Sequence, residues 1–194
     1  LGFQYDPTNQ CIVDLFARTR QARLRRTQRM VELMSKDLPI SWESVLAQVK
    51  EGGNTTIGRP HIADALVAAG VYQNRSEAFA DAVSASSKYY IPTPSPTARE
   101  VVAAVKGADG VILIAHAGDL SRNRRLLSDE QIEALIAEGL DGLEVWHRGN
   151  LPEQRERLLG ICARYHLLVT GGSDWHGKGK PNLLGENLTD EATV

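Results

Sequence analysis

Apolar and polar positions recur with two different periods along this chain. From about residue 14 to 87 the period is helical: DLFARTRQARLRRTQRMVELMSKD repeats Leu15, Leu24, Met30, Leu33 and Met34 against basic residues. SWESVLAQVKEG predicts a helix over 44–50, with Ser41 as N-cap and Gly52 and Gly53 as its stop. RPHIADALVAAG and SEAFADAVSASS predict two more short helices, the second capped by Ser76 with Glu77 in its first turn. Together these describe a small helical bundle. YYIPTPSPT, residues 89–97, then places three prolines in nine residues, which interrupts any helix and marks a connection.

After that connection the period changes. GVILIAHAG is a continuous apolar run suited to a strand buried on both faces, SDEQIEALIAEG an amphipathic helix capped by Ser128, and DGLEVWH a second strand. LPEQRERLLGICARYH predicts another helix and LLVTGGSD a third strand, while residues 1–5 add one more at the start. Strand alternating with helix predicts an α/β fold: a parallel sheet with helices outside, in which polar residues at the C-terminal ends of strands gather on one face. His116, His147 and Asp174 with His176 all stand at such ends.

Composition narrows the classes. The 194 residues suffice for one domain, alone or with a small insertion; 42% hydrophobic and 24% charged residues are ordinary for a soluble globular chain. A formal net charge of -2 provides no global attraction to nucleic acid or anionic membrane, so a basic site must be local. Cys11 and Cys162 lack metal-type spacing and read as reduced core residues, which points to the cytoplasm. No apolar run approaches the roughly 18 residues needed to span a bilayer, and the N-terminus has no signal-peptide pattern, so no membrane partner is expected. The chain starts without Met, as a fragment or a processed chain would.

Each candidate site has a structural reading beside a chemical one. Asp174 and His176 follow a buried strand, and Gly171, Gly172 and Ser173 let the backbone turn so that both can reach one pocket. A carboxylate with an imidazole suits Mn, Fe or Zn, and either group also serves as acid or base; alone, the pair reads rather as a turn in which Asp174 caps the following loop and His176 is solvated. His116 emerges from VILIA beside Gly118, as a ligand or a satisfied core histidine. His61 alone reads as a helix-start residue, His147 as part of a solvent-facing loop, and His166 as a structural residue at the start of a strand. Glu144, within a strand, requires a partner if buried, which suits a role supporting a ligand. The closing GENLTDEATV, acidic and glycine-containing, reads as a tail.

Taken jointly, GRPHIADALV, LIAHAGD, GLEVW and LLVTGGSDWHG resemble the PHP family, named for polymerase and histidinol phosphatase domains, and in particular its bacterial phosphoesterases that act on nucleotides and short RNA ends. The resemblance covers essentially the whole chain. It implies the C-terminal portion of a distorted PHP-type (βα)7 barrel: residues 1–13 a barrel strand and connection, 14–88 a helical insertion domain, and 89–194 the remaining β/α units. It also implies that His61, His116, Asp174 and His176 are metal ligands in a site holding two or three divalent ions, Mn, Fe or Zn. RTRQARLRRTQRM resembles the basic helix of the insertion, so that Arg18, Arg25 and Arg29, with Arg26 close by, and Arg59 become candidates for binding substrate phosphate. The alternative for that run is a solvated helix face paired with acids such as Glu32. Tyr89, Tyr90 and Trp175 are candidates to stack a base.

The sequence departs from the family pattern in two ways. The family opens with a strand bearing H-x-H and further His, Asp and Glu ligands, and this chain begins after them; the barrel then requires the N-terminal segment of the same domain as a partner, without which an open sheet and incomplete metal binding are expected. Ala117 stands where the family has proline after the motif histidine. The function implied is metal-dependent hydrolysis of phosphate esters, of a nucleoside 3',5'-bisphosphate or 5'-phosphorylated oligonucleotides. A histidinol-phosphatase-like small phosphomonoesterase and a non-catalytic scaffold or partner-binding module are the alternatives.

Overall fold

The computed structural model describes residues 1–49, 56–122, 125–175 and 182–193. Contacts divide the chain into two units: a sheet unit formed by Leu1–Val13 with Thr97–Val194, and a helical unit, Asp14–Pro96.

The helical unit takes most of α1 (Gln10–Met34), followed by α2 (Trp42–Leu46), α3 (Arg59–Ala68) and α4 (Arg75–Ala80). Asn9 opens α1, its side chain accepting the Cys11 N–H at 2.9 Å. Ser41 caps α2 in a reciprocal pair with Ser44, as expected, but the helix is shorter than the pattern over 44–50, part of which lies outside the described residues. The cap of α4 is Asn74, whose side chain accepts the Glu77 N–H, and not Ser76, which lies inside the helix. Both residue types cap well two positions apart, and the local pattern does not discriminate between them. Met30, Met34, Val45, Ile62, Leu66 and Val83 are buried together as the core of this unit.

The sheet unit contains strands β1 (Gly2–Phe3), β2 (Val111–Ile114), β3 (Gly142–Trp146) and β4 (Leu168–Gly171), in the spatial order β1-β2-β3-β4. The pairs β2·β3 and β3·β4 are parallel. β1 instead runs antiparallel to β2, with Gly2 opposite Ile112 and Phe3 opposite Val111, so the expectation of a wholly parallel sheet is corrected at its first strand. Among the described residues the sheet has four strands and does not close on itself.

Among the described residues three α-helices complete the unit, α5 (Ala98–Lys106), α6 (Asp129–Ala137) and α7 (Pro152–Tyr165), with a 3-10 turn at Glu191–Thr193. The sequence pattern does not announce α5, because the proline-rich connection runs straight into it; Thr97 and Glu100 nevertheless form a capping box there. Lys106 at its end donates to Asp141 at 2.9 Å, and Asp141 accepts the Ile112 N–H at 2.8 Å, which ties α5 to the sheet. Ser128 caps α6 as expected. His166 ends α7 in the left-handed conformation (φ 54°) and does not begin a strand. Cys162 is buried, and burial pushes its thiol up to about 11; Cys11 is exposed, not in the core. The C-terminal segment is more than a tail: Thr189 Oγ1 accepts the Gly171 N–H and donates to the Gly171 carbonyl. No helix among the described residues is long and apolar enough to cross a membrane.

Candidate functional site

Parallel pairing carries the chain past the C-terminal ends of β2, β3 and β4 on the same edge of the sheet, and there the polar residues collect. The register of β3 against β4 slips between Glu144 and Trp146, so two residues of β3 oppose one of β4 and the end of the strand is re-aimed. Glu144 is 6% exposed and its Oε2 accepts the His116 N–H at 2.6 Å. The buried carboxylate expected to need a partner therefore supports the backbone that carries His116. His116 itself holds φ at 35° and Asp174 at 49°, left-handed values that non-glycine side chains rarely adopt and that cluster at functional sites.

His147 is 1% exposed, which corrects the expectation of a solvent-facing loop. An isolated antiparallel bridge between Asp119 and Asn150 folds the segment after β3 inward. Asn150 holds it there, accepting the Gly118 N–H at 3.0 Å and donating to the carbonyls of Glu144 and Val145 at 3.1 and 2.9 Å. Arg155 donates to the His147 carbonyl at 2.9 Å. The rings of His116 and His147 lie 5.5 Å apart between centroids, tilted by 53°. His116 Nδ1 and His147 Nε2 are both buried with no hydrogen-bond partner among the described residues.

Acidic groups surround the pair. Burial pushes the Asp119 carboxyl up, but hydrogen bonds from the Ser121 hydroxyl and N–H, with the charge of Arg122, outweigh it and leave Asp119 below the usual range. Arg122 lies 3.3 Å from Asp119 and also pairs with Asp174, so one guanidinium spans two carboxylates. Burial lowers the pKa of His147, against the raising effect of Glu144, and favours its neutral form. A Cβ on Gly149 would run into the Asp119 carboxylate, and one on Gly172 into the Glu144 carboxylate, so a side chain at either position would push the neighbouring carboxylate aside.

Of the four candidate ligands, the structure brings His116 and Asp174 to the strand ends of the sheet unit. His61 belongs to the helical unit, where its Nδ1 accepts the Gly58 N–H at 3.2 Å at the start of α3, leaving Nε2 as the nitrogen for another partner. His176 lies outside the described residues. Asp119, Arg122, His147 and Asn150 are the members the sequence did not single out as site residues; the strand-end position of His147 was the available signal, and Arg148 and Gly149 argued against it. A buried imidazole nitrogen and carboxylates are donors suited in kind to Mn, Fe or Zn. They fall short in number: among the described residues no group of three or more His, Cys, Asp or Glu side chains is arranged to hold an ion.

The candidate substrate arginines all lie in the helical unit. Arg29 pairs with Glu32 at 2.7 Å on an exposed face. Arg18 and Arg25 are exposed on α1. Arg59 donates to the Val83 carbonyl at 3.2 Å and lies over Phe79 and Tyr90, 5.6 and 5.8 Å from the ring centroids. Arg26 lies over the same Tyr90 ring at 5.2 Å and donates to the Ile91 carbonyl. Among the described residues neither Arg26 nor Arg59 is in an ion pair with a carboxylate.

Comparison with known proteins follows the same lines. No family model matches the chain. The crystal structure, at 2.40 Å, of a Bifidobacterium adolescentis protein named as a metal-dependent phosphoesterase superposes with a TM-score of 0.84 and 76% identity, covering 99% of this chain and 67% of that one. The 5'-3' exoribonuclease Rnm of Escherichia coli is 25% identical over 181 residues, 91% of this chain. This chain spans 59% of that exoribonuclease and of its counterpart in Salmonella typhimurium. A phosphoribosyl 1,2-cyclic phosphate 1,2-diphosphodiesterase from Eggerthella lenta is 35% identical over 81 residues, 42% of this chain and 29% of that protein. An amidohydrolase from Chromobacterium violaceum, at 22% identity and a TM-score of 0.63, shares the fold. At 76% identity over nearly its whole length, the chain belongs to a PHP-like family of metal-dependent phosphoesterases.

Proposed function

We propose that the protein hydrolyses phosphate esters of nucleotides or short RNA ends, nucleoside 3',5'-bisphosphates or 5'-phosphorylated oligonucleotides. The observation that carries this reading is the collection of His116, His147, Asp119 and Asp174 at the strand ends, with two buried ring nitrogens lacking partners. Divalent ions, when bound, supply a water of lowered pKa and a clamp for phosphate oxygens. Among the residues of this chain, His116 and Asp174, with His176, are the proposed holders, and Glu144 fixes the backbone of His116 through its N–H. The further ligands, and the strands that would complete a barrel, are proposed to come from sequence equivalent to the part of the Bifidobacterium protein that this chain does not span.

In the helical unit, His61 Nε2 is proposed as an additional ligand, and Arg59, Arg18, Arg25 and Arg29 as phosphate contacts. Arg59 is the best supported of the arginines, being held over two rings and without a carboxylate among the described residues. The names of the relatives support the substrate class: an exoribonuclease and a ribosyl phosphodiesterase both act on phosphate esters of ribose.

The complete protein is to be assayed with added Mn2+ against a nucleoside 3',5'-bisphosphate, a short 5'-phosphorylated RNA and histidinol phosphate. Turnover of either of the first two, lost on chelation, is the expected result. Preference for histidinol phosphate defeats the nucleotide assignment; absence of both bound metal and hydrolysis defeats the enzyme reading and leaves the scaffold.

A further inference from the structure

The protonation state of His147 is dictated by its neighbours. Its Nδ1 accepts the Gly149 N–H at 3.1 Å. A neutral imidazole has one ring proton, and the nitrogen that accepts a backbone N–H is not the one that carries it, so the proton sits on Nε2. The surroundings hold this arrangement in place. Gly149 has no room for a side chain against Asp119, and the His147 carbonyl accepts from both Arg155 at 2.9 Å and the Asn150 N–H at 3.1 Å. Asp119 Oδ2 lies 3.9 Å from Nδ1, too far to accept a hydrogen bond from it. His147 thus presents a buried Nε2–H that has no acceptor among the described residues.

We propose that His147 is a substrate-binding donor: its Nε2–H hydrogen-bonds an anionic oxygen of the phosphoryl group, and the residue is not a metal ligand. Ligation by Nε2 requires that nitrogen's lone pair, which the tautomer occupies with a proton. Moving the proton to Nδ1 sets two N–H groups against each other at Gly149. A phosphoryl oxygen supplies what the buried N–H lacks, and the adjacent ring of His116 places the donor beside a proposed metal ligand. This inference rests on the phosphoesterase reading.

Imidazole 1H–15N NMR of the complete protein loaded with Zn2+ tests it directly, with inorganic phosphate as the probe. The expected result is the Nε2–H tautomer at His147, with its proton moving downfield as phosphate is added. In parallel, His147→Phe is expected to weaken phosphate inhibition about tenfold, and His147→Gln, which keeps a donor, to recover to within about threefold, with metal content unchanged in both. An Nδ1–H tautomer, loss of metal from His147→Phe, or unchanged phosphate affinity in a folded His147→Phe overturns the proposal. Should the phenylalanine variant not fold, the tautomer and the phosphate response of the wild type decide alone. A wild type that takes up no metal and binds no phosphate overturns the phosphoesterase reading and this contact with it; normal binding with an unresponsive His147 overturns the contact only.

Discussion

The helical unit and the sheet unit bury their interiors differently. Among the described residues of the helical unit the buried side chains are apolar or aromatic apart from Thr27, whose hydroxyl donates to the Arg23 carbonyl at 2.8 Å. In the sheet unit Asp119, Glu144, His147, Asn150 and Asn182 are buried as well, and among the described residues the buried side-chain atoms without a hydrogen-bond partner, on His116, His147, Arg155 and Glu186, all belong to it. An apolar interior is sufficient to hold a fold together. Polar groups removed from water are unfavourable unless paired, so a cluster of them with atoms left over points to something the folded chain binds.

The largest expected effects test whether the apolar parts are alike. Met34 in the helical unit and Leu158 in the sheet unit are both 0% exposed. Met34→Ala and Leu158→Ala are each expected to cost about 2–5 kcal/mol, from the lost burial and the cavity left behind. Urea denaturation of the two variants checks this; a Met34→Ala cost under about 1 kcal/mol would break the comparison.

Of intermediate size is Asn150→Ala, which removes three hydrogen bonds at the strand ends. A destabilisation of about 1–3 kcal/mol is expected, with weaker phosphate binding, because the segment carrying His147 loses its anchor. Thr27→Val, the nearest counterpart in the helical unit, is expected to cost about 1 kcal/mol or less and to leave phosphate binding unchanged. Equal effects of the two on binding would erase the distinction between the units.

Smallest is Arg29→Ala. Its pairing with Glu32 is solvated on both sides, so stability is expected to move by no more than about 0.5 kcal/mol. As a proposed phosphate contact, its loss is expected to raise KM several-fold with kcat little changed. An unmoved KM returns Arg29 to the solvated helix face.

The caps at Ser41 and Ser128 were legible because a hydroxyl two or three residues before an orphan N–H is a local signal. The strands around β2, β3 and β4 were legible for the same reason, each being a short apolar run between turn residues. Asn74 was missed because Ser76, an equally good cap in sequence, stands beside it, and α5 because prolines mask its start. Arg148 and Gly149 suit an exposed turn, so the sequence does not show that His147 is buried; its burial follows from the bridge between Asp119 and Asn150, residues far apart in the chain.

By itself, then, the sequence determined most of the segments that form helices and strands, α5 excepted, and that His116, His147 and Asp174 stand at strand ends, since periodicity and capping depend on neighbours a few positions away. Tertiary structure alone decided that β1 runs antiparallel, that Glu144 accepts from His116, that Arg122 spans Asp119 and Asp174, and that Gly149 sets the proton of His147 on Nε2. Most of these bring together groups distant along the chain. The last joins residues only two apart, yet it too depends on the fold, because the bridge from Asp119 and the anchors on Asn150 and Arg155 hold that turn in place.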